Sequence, residues 1–178
     1  MKDYLIFFSK RIKNGKKNAS MIPSSKFLSR QMIKGINFDE INSIIELGPG
    51  TGVFTQYVVE NMKKGTKLIC IEIEDDYIKI LKKKFGNQIV ILKEDVRNID
   101  NIRKKYGIEK IDLIISGLPF KPASSIHNEL KKYTSNGTIF RSFTYQPYIF
   151  KKQYHDLPIK KIGFAFLNIP PAWVYGIN

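Results

Sequence analysis

The chain has 178 residues, of which 43% are apolar, so it fits one α/β domain with a hydrophobic core and is too short for two domains of ordinary size. Its 30 lysine and arginine residues outnumber its 16 acids, and the net charge of +14 is concentrated at one end, where residues 1–36 carry nine cations and one acid. This asymmetry favours an anionic partner, either a membrane or a nucleic acid, over a basic surface that is merely solvated.

The first 20 residues predict a basic amphipathic helix that precedes a folded domain at residues 21–178. Apolar side chains fall on one stripe of this helix, and lysine and arginine side chains lie beside them. The stripe consists of Tyr4, Leu5, Phe8 and Ile12. Such a helix suits the interface of an anionic membrane, where each basic residue contributes about 1 kcal/mol. The alternative is that its aromatic side chains pack on the domain and its lysines are solvated.

The cysteine content and the short apolar runs indicate the compartment. Cys70, the single cysteine, lies within an apolar strand pattern, which predicts a buried thiol, no disulfide and a reducing environment. The apolar run at residues 5–8 is too short for a signal-peptide core or a membrane span. We therefore expect a cytoplasmic protein.

A glycine-rich turn at residues 48–52 is the central motif of the chain. It follows an apolar strand pattern at Ile44 and Ile45, and a helix pattern begins at Val53. Strand, turn and helix in this order build a nucleotide-type pocket, because the missing side chains let a ligand approach the backbone and the helix start leaves N–H groups without partners.

Two acids narrow the choice of nucleoside. Glu72 follows the apolar run at residues 68–71, and an acid at this position can accept hydrogen bonds from both ribose hydroxyls. Glu46 lies at the end of the first strand, beside the glycine turn. A carboxylate there disfavours a pyrophosphate and suits a ligand that carries positive charge, such as an amine or a sulfonium.

These residues resemble the first motif of the class I S-adenosylmethionine-dependent methyltransferases, which reads acid-x-Gly-x-Gly-x-Gly. The match is full at Glu46, Gly48, Gly50 and Gly52. The resemblance implies that S-adenosylmethionine is the cofactor and S-adenosylhomocysteine its product. It also implies that Pro49 and Thr51, in the same turn, contribute to the cofactor site.

Strand and helix patterns alternate along the chain and predict a mostly parallel sheet covered on both faces. After the first strand and the helix that follows the glycine turn, the predicted strands are residues 67–72, 88–92, 111–116 and 138–145. The predicted helices are residues 26–34, 75–85, 99–106 and 124–133. The tail, residues 159–167 and 172–177, predicts an antiparallel hairpin at one sheet edge. We therefore expect a Rossmann-like class I methyltransferase fold with seven strands.

Four strand ends of this sheet converge on one edge, which is where ligands of such sheets bind. They are residues 46–52, 72–73, 95–96 and 116–120. In the cofactor site that the resemblance implies, Asp95 accepts from the adenine amine, and Ile73 and Val96 enclose the adenine ring. The N–H of Val96 donates to a ring nitrogen, and Ser116 completes the site. The alternative for Asp95 is an ordinary acid in a surface turn.

The segment Ser-Gly-Leu-Pro-Phe at residues 116–120 is the predicted substrate motif. An amine that accepts a methyl group must be neutral and held within about 3–3.5 Å of the methyl carbon. Backbone carbonyls of the proline-fixed turn, at Gly117 and Leu118, can accept its N–H groups. The ring of Phe120 would face the cation that forms, which stabilises it by roughly 0.5–2 kcal/mol.

This segment resembles the bacterial phospholipid N-methyltransferases, which convert phosphatidylethanolamine towards phosphatidylcholine and include ornithine-lipid methylators. The resemblance extends to residues 23–25, 143–145 and 168–175. A nucleic-acid adenine methyltransferase is expected to carry Asn-Pro-Pro-Tyr or Asn-Leu-Pro-Tyr, with Asn in the place of Gly117. The resemblance implies a monomer at the inner face of an anionic membrane that methylates the amino head group of a lipid. RNA or DNA adenine methylation is the alternative, motivated by the charge of +14.

The remaining candidates belong to the acceptor side. Ring faces can hold a trimethylammonium group, which has no N–H, and the candidate rings are Tyr145, Tyr148, Trp173 and Tyr175, each of which could instead be core. The candidates for the lipid phosphate are Arg141, Lys121 and Ser124, with a solvated surface position as the favoured alternative for Lys121. His127 is a candidate base, although we favour desolvation of the amine with proton release through Tyr145 or water. No Cys, His and Asp cluster has the spacing of metal ligands, so no metal is expected.

Overall fold

The computed structural model describes residues 23–118, 123, 125–168 and 170–177, and they are organised around one seven-stranded sheet. The strand order is β3-β2-β1-β4-β5-β7-β6. The strands are β1 (Ser43–Leu47), β2 (Lys67–Glu72), β3 (Val90–Lys93), β4 (Leu113–Ser116), β5 (Ile139–Thr144), β6 (Lys160–Ala165) and β7 (Ala172–Ile177). The first five strands pair in parallel, so their carboxyl ends meet at one edge of the sheet.

Helices connect the parallel strands and cover both faces of the sheet. They are α1 (Pro23–Met32), α2 (Val53–Asn61), α3 (Asp75–Phe85), α4 (Ile99–Lys105), α5 (His127–Ser135) and α6 (Pro147–Gln153). Short 3-10 turns occupy Phe38–Glu40, Gly86–Gln88 and Val96–Asn98. Because successive strand side chains point to opposite faces, β1 contributes Ile45 and Leu47 to one hydrophobic cluster and Ile44 to the other.

The carboxy-terminal hairpin closes the sheet in antiparallel fashion. β7 lies between β5 and β6 and runs against both of them. As a result β6 points the same way as the parallel strands, and the turn between β6 and β7 emerges at the edge where β5 ends. This places residues 166–168, 170 and 171 near the ligand edge of the sheet, where Trp173 of β7 pairs with Thr144.

The structure confirms the predicted fold class and most of the predicted elements. β2 and α3 have the predicted bounds, and the other predicted strands and helices agree to within three residues at each end. The buried thiol of Cys70 is also confirmed. The helix α6 was not predicted, since seven residues that begin with a proline carry too little periodicity to indicate a helix. The predicted helix at residues 1–20 lies outside the described residues, so that division of the chain stays a prediction.

Candidate active site

A cleft of about 790 Å³ runs along the edge where the parallel strands end. Its lining comes from the turns after β1, β2, β3, β4 and β5, and from the turn between β6 and β7. This volume is typical of a site for a small organic ligand. Eight of the predicted cofactor residues line it: Gly48, Pro49, Gly50, Thr51, Glu72, Ile73, Asp95 and Val96.

The glycine turn has a backbone that other residues rarely adopt. Gly48, Gly50 and Gly52 have φ of 65°, 57° and 75°, in the left-handed region. A Cβ at Gly52 would lie 2.7 Å from a ring carbon of Phe85 and 2.8 Å from Leu81, so this glycine also permits close packing on α3. A Cβ at Gly50 would meet no atom within 4 Å, so the backbone there is open to a ligand.

Glu72 links the glycine turn to the end of β2. One oxygen of its buried carboxylate accepts from the N–H of Gly50 at 3.0 Å. The other accepts from the N–H groups of Ile73 and Glu74, at 2.9 and 3.1 Å. These three bonds orient the carboxylate at the cleft wall. The oxygen that accepts only from Gly50 keeps one lone pair, which can accept from a ligand hydroxyl. This arrangement fits the ribose of an adenosyl group.

The part of the cleft predicted to hold adenine combines apolar side chains with an acid whose oxygens already have a partner. Ile73 is 61% exposed and lines the cleft with Val96, so both offer apolar surface to a flat ring. Both oxygens of Asp95 bond to Arg97, which donates through its backbone N–H, Nε and Nη2. These bonds hold the pKa of Asp95 down at about 2. A contact of Asp95 with adenine would have to share its oxygens with Arg97, and this contact stays a prediction.

Glu46 lies beneath the cleft and does not line it. Its carboxyl is fully buried, and the Cys70 thiol donates to Oε2 at 3.6 Å. Burial raises the pKa of Glu46 to about 7. The acid of the predicted motif therefore lies under the glycine turn and not in the cleft wall. Gly52, another predicted cofactor residue, is also absent from the cleft lining.

The turn after β4 packs directly on the glycine turn. Gly117 donates its N–H to the carbonyl of Leu47 at 2.8 Å, and a Cβ at residue 117 would lie 2.7 Å from the Gly48 carbonyl oxygen. Gly117 and Leu118 line the cleft as predicted. Ser116 is buried below them and accepts from the Leu118 N–H at 3.4 Å, so its side chain does not line the cleft. Phe120, the predicted ring, lies outside the described residues.

The part of the cleft where the substrate is predicted to bind contains a row of aromatic rings. Phe143 lies 5.5 Å from Phe54 and 5.6 Å from Tyr145 between ring centroids, and both contacts are edge-to-face. All three rings line the cleft, together with Asn168. Tyr145 was predicted here. Phe54, Phe143 and Asn168 were not. The positions of Phe143 and Asn168 depend on the order of the strands, whereas Phe54 directly follows the glycine turn and could have been inferred from it.

The structure places the other predicted acceptor residues elsewhere. Arg141 is 1% exposed, and its Nη1 donates to the carbonyls of Phe140 and Ile177 inside the sheet. Its burial is incompatible with the predicted contact with a lipid phosphate. Tyr175 is buried against Phe150, with ring centroids 5.2 Å apart, and is core.

Three further candidates lie outside the cleft lining. Nε2 of His127 forms a hydrogen bond with Asp156 at 2.8 Å. This nitrogen therefore already has a partner outside the cleft, which does not fit the predicted role of base. Trp173 is half-buried and packs on Phe164. Tyr148 is 80% exposed in the first turn of α6. Its position at the rim makes it a surface residue and not part of a closed cage.

In residues 23–118, 123, 125–168 and 170–177, no group of three or more His, Cys, Asp and Glu side chains could hold a metal ion. Within the same ranges, no helix has the length and apolar character that crossing a bilayer requires.

Comparisons with known proteins agree on the class of enzyme. The family described as ribosomal RNA adenine dimethylase matches residues 13–140. An ornithine lipid N-methyltransferase from Singulisphaera acidiphila is 29% identical over 98% of this chain and 95% of its own length. Ribosomal RNA small subunit methyltransferase A from Fusobacterium nucleatum is 32% identical over 56% of this chain, but only 36% of its own length.

The fold also matches solved methyltransferase structures. Fibrillarin from Aeropyrum pernix, crystallised with natively bound S-adenosyl-L-methionine, superposes with a TM-score of 0.62. The alignment covers 86% of this chain and 73% of that one at 14% sequence identity. At this identity the likeness concerns the fold alone.

The first prediction concerns Glu72. The substitution Glu72→Gln keeps the shape but replaces one acceptor oxygen with an NH2 group, which cannot accept from a ribose hydroxyl. Losing such a bond costs about 1–3 kcal/mol, so we expect affinity for S-adenosylhomocysteine to fall roughly 5- to 100-fold. Isothermal titration calorimetry measures this, with Glu109→Gln, an exposed acid far from the cleft, as control. Equal affinities for both variants would remove Glu72 from the site.

The second prediction concerns the buried Glu46. Its folded pKa of about 7 exceeds the ordinary 4.5, so the folded state binds a proton that the unfolded state has already lost. Stability therefore falls as pH rises through this window. Urea unfolding should show Glu46→Gln gaining roughly 2–3 kcal/mol relative to the parent protein between pH 5 and 8. A constant difference across this range, as expected for Glu109→Gln, would contradict the assignment.

Proposed function

Because the chain belongs to the ribosomal RNA adenine dimethylase family and is an S-adenosylmethionine-dependent methyltransferase, we propose that it methylates the amino head group of a membrane lipid. When bound, the cofactor supplies an electrophilic methyl group. The relative that supports a lipid acceptor is the ornithine lipid N-methyltransferase, because the two chains align over nearly the whole of both. An ornithine lipid is thus the favoured substrate, and phosphatidylethanolamine offers the same chemistry, a primary amine on a lipid.

The close packing of Gly117 carries this proposal. An adenine methyltransferase of the type considered above presents an Asn side chain at this point, and here a side chain at residue 117 would collide with the carbonyl of Gly48 at 2.7 Å. Relief of the collision would have to move the glycine turn, because the obstructing atom belongs to the backbone. The substrate motif of this chain is therefore built without the amide that an adenine amine would meet there.

The electrostatics of the cleft suit an amine that must lose its proton. The acids that line the cleft, Glu72, Glu74, Glu94 and Asp95, all follow β2 or β3, on the cofactor side. The substrate side presents Phe54, Phe143, Tyr145 and Leu118. An apolar environment disfavours the ammonium form, and ring faces still attract the cation that each transfer creates. A neutral amine is therefore stabilised before transfer and a methylated cation after it.

An apolar rim beside the substrate half supports docking on a membrane. We define this rim as Tyr148, Ile149, Phe166 and Leu167, all exposed, with Phe166 at 72%. It lies beyond the ends of β5 and β6, next to the cleft residues Tyr145 and Asn168. Exposed Lys151 and Lys152 follow on α6, and the chain carries a net charge of +14. Apolar side chains flanked by lysines suit the surface of an anionic bilayer.

A second candidate function is adenine methylation in RNA. The family description and the Fusobacterium nucleatum relative favour it, and the net charge of +14 suits a nucleic acid equally well. The main difference between this chain and that relative is length, because this chain spans about a third of the relative. The two candidates differ in the acceptor and not in the cofactor.

The third prediction separates the two functions. Protein is incubated with methyl-labelled S-adenosylmethionine and, in parallel, with vesicles containing an ornithine lipid, vesicles containing phosphatidylethanolamine, and ribosomal RNA. We expect label in lipid, and the mass of the product identifies the head group and the number of methyl groups. Label in RNA alone would overturn the proposal, and a cofactor-binding protein that labels no lipid would do the same.

The fourth prediction concerns the apolar rim. Replacing Phe166 and Leu167 together by Ser removes apolar area that a bilayer would bury, at about 25 cal/mol per Å². We expect sedimentation with anionic vesicles to fall several-fold while S-adenosylhomocysteine affinity is unchanged. Ile80→Ser is the matched control, because Ile80 is 42% exposed on α3, which follows β2 on the cofactor side. Equal vesicle binding by all three proteins would exclude the rim as a docking surface.

A further inference from the structure

Asn168 is a buried amide on the substrate side of the cleft. It lies in the turn between β6 and β7, is 7% exposed, and lines the cleft beside Tyr145. Its neighbours Phe166 and Leu167 are exposed, so the chain turns this one polar side chain inward at a place where it turns apolar ones outward. Polar side chains are usually exposed, and a buried one needs hydrogen-bond partners for its polar atoms.

The hydrogen bonds of Asn168 determine how its amide is oriented. Nδ2 donates to the Pro170 carbonyl at 2.7 Å and to the Tyr145 hydroxyl at 3.4 Å. A carbonyl can only accept, so the nitrogen and not the oxygen must face Pro170. Both N–H bonds of the amide are then used. In the part of the chain that the structure describes, Oδ1 receives no hydrogen bond, which leaves it as an acceptor for a ligand.

A neutral amine in this cleft needs such an acceptor. Its lone pair must point at the methyl carbon, and an acceptor for an N–H bond fixes that direction. Residue 117 cannot supply a side-chain amide, because its Cβ would lie 2.7 Å from the Gly48 carbonyl oxygen. The turn between β6 and β7 does present an oriented amide to the cleft, at Asn168.

We propose that Oδ1 of Asn168 accepts an N–H bond of the substrate amine and directs its lone pair towards the cofactor. This inference rests on the proposed function. The nitrogen lone pair forms a bond to the methyl carbon, the bond between that carbon and sulfur breaks, and its electron pair remains on sulfur. The methylated nitrogen then releases one proton to water, which restores a neutral amine for the next transfer.

The proposed role of Asn168 depends on how many methyl groups the substrate amine already carries. A neutral primary amine has two N–H bonds, a secondary amine has one, and a tertiary amine has none. Asn168 can therefore orient the acceptor in the first two transfers but has no bond to accept in a third. A residue that only supports the fold of the turn would affect all three transfers alike.

The fifth prediction follows from this distinction. We compare Asn168→Ala with the parent protein on lipids whose amine is unmethylated, monomethylated or dimethylated, supplied separately in vesicles. We expect kcat to fall roughly 10- to 100-fold on the first two lipids and to change less than about twofold on the third. Calorimetry with S-adenosylhomocysteine should give unchanged affinity. Asn136→Ala, an exposed asparagine at the end of α5, is the control.

A second variant keeps the test decisive if the parent protein does not accept the dimethylated lipid. Asn168→Asp retains an acceptor but adds negative charge, which favours the ammonium form and raises the pKa of the bound amine. We expect the rising limb of its pH and activity profile to move about one pH unit higher. An equal loss on all lipids, an unchanged Asn168→Ala enzyme, or an unmoved pH profile would overturn the proposal. A parent protein that methylates no lipid would instead refute the proposed function.

Discussion

The contact between two turns, one after β1 and one after β4, determines the architecture of the site. The backbone of Gly117 lies against the carbonyl of Gly48 so closely that no side chain fits between them. A hydrogen bond from the N–H of Gly117 to the carbonyl of Leu47 stabilises the contact between the two turns. Because Gly48 lies in the predicted cofactor site and Gly117 in the predicted substrate motif, this contact would set the distance between the two ligands of the proposed reaction. The contact consists of backbone atoms, so no change of side-chain rotamer can relieve it.

The two acids of the cofactor half depend on the same glycine turn but have different surroundings. Glu72 faces the cleft and accepts from three backbone N–H groups, so it ties the turn to the end of β2. Glu46 is fully buried beneath the turn, where burial raises its pKa to about 7. A carboxyl in that environment is sensitive to a positive charge above it. A positive charge in the cleft would lower this pKa and favour the ionised carboxylate, so ionisation of Glu46 and binding of a cationic ligand would support each other.

Local sequence patterns predicted most of the residues that line the cofactor side of the cleft and fewer of those that line the substrate side. The glycine turn, Glu72 and the residues after β3 follow the strands in chain order, and parallel strands bring such ends together. The substrate half depends on where the last three strands lie. Because β7 runs between β5 and β6, Tyr175 faces the core and the turn containing Asn168 faces the cleft. No periodicity in the sequence states that order, so Tyr175 was misplaced and Asn168 received no role.

The burial of Arg141 and the row of aromatic rings mean that the predicted acceptor side of the cleft offers ring faces and not the charged side chain that was predicted there. A phosphate site would need a cation facing the cleft, and the candidate arginine instead bonds the carbonyls of Phe140 and Ile177. A carboxylate facing the amine would raise the amine's pKa and hold it in the protonated form, which has no lone pair to donate. Rings avoid this conflict, because their faces attract a cation without greatly favouring the proton over a methyl group. An amine that is methylated repeatedly requires this property, since its charge persists while its N–H bonds disappear.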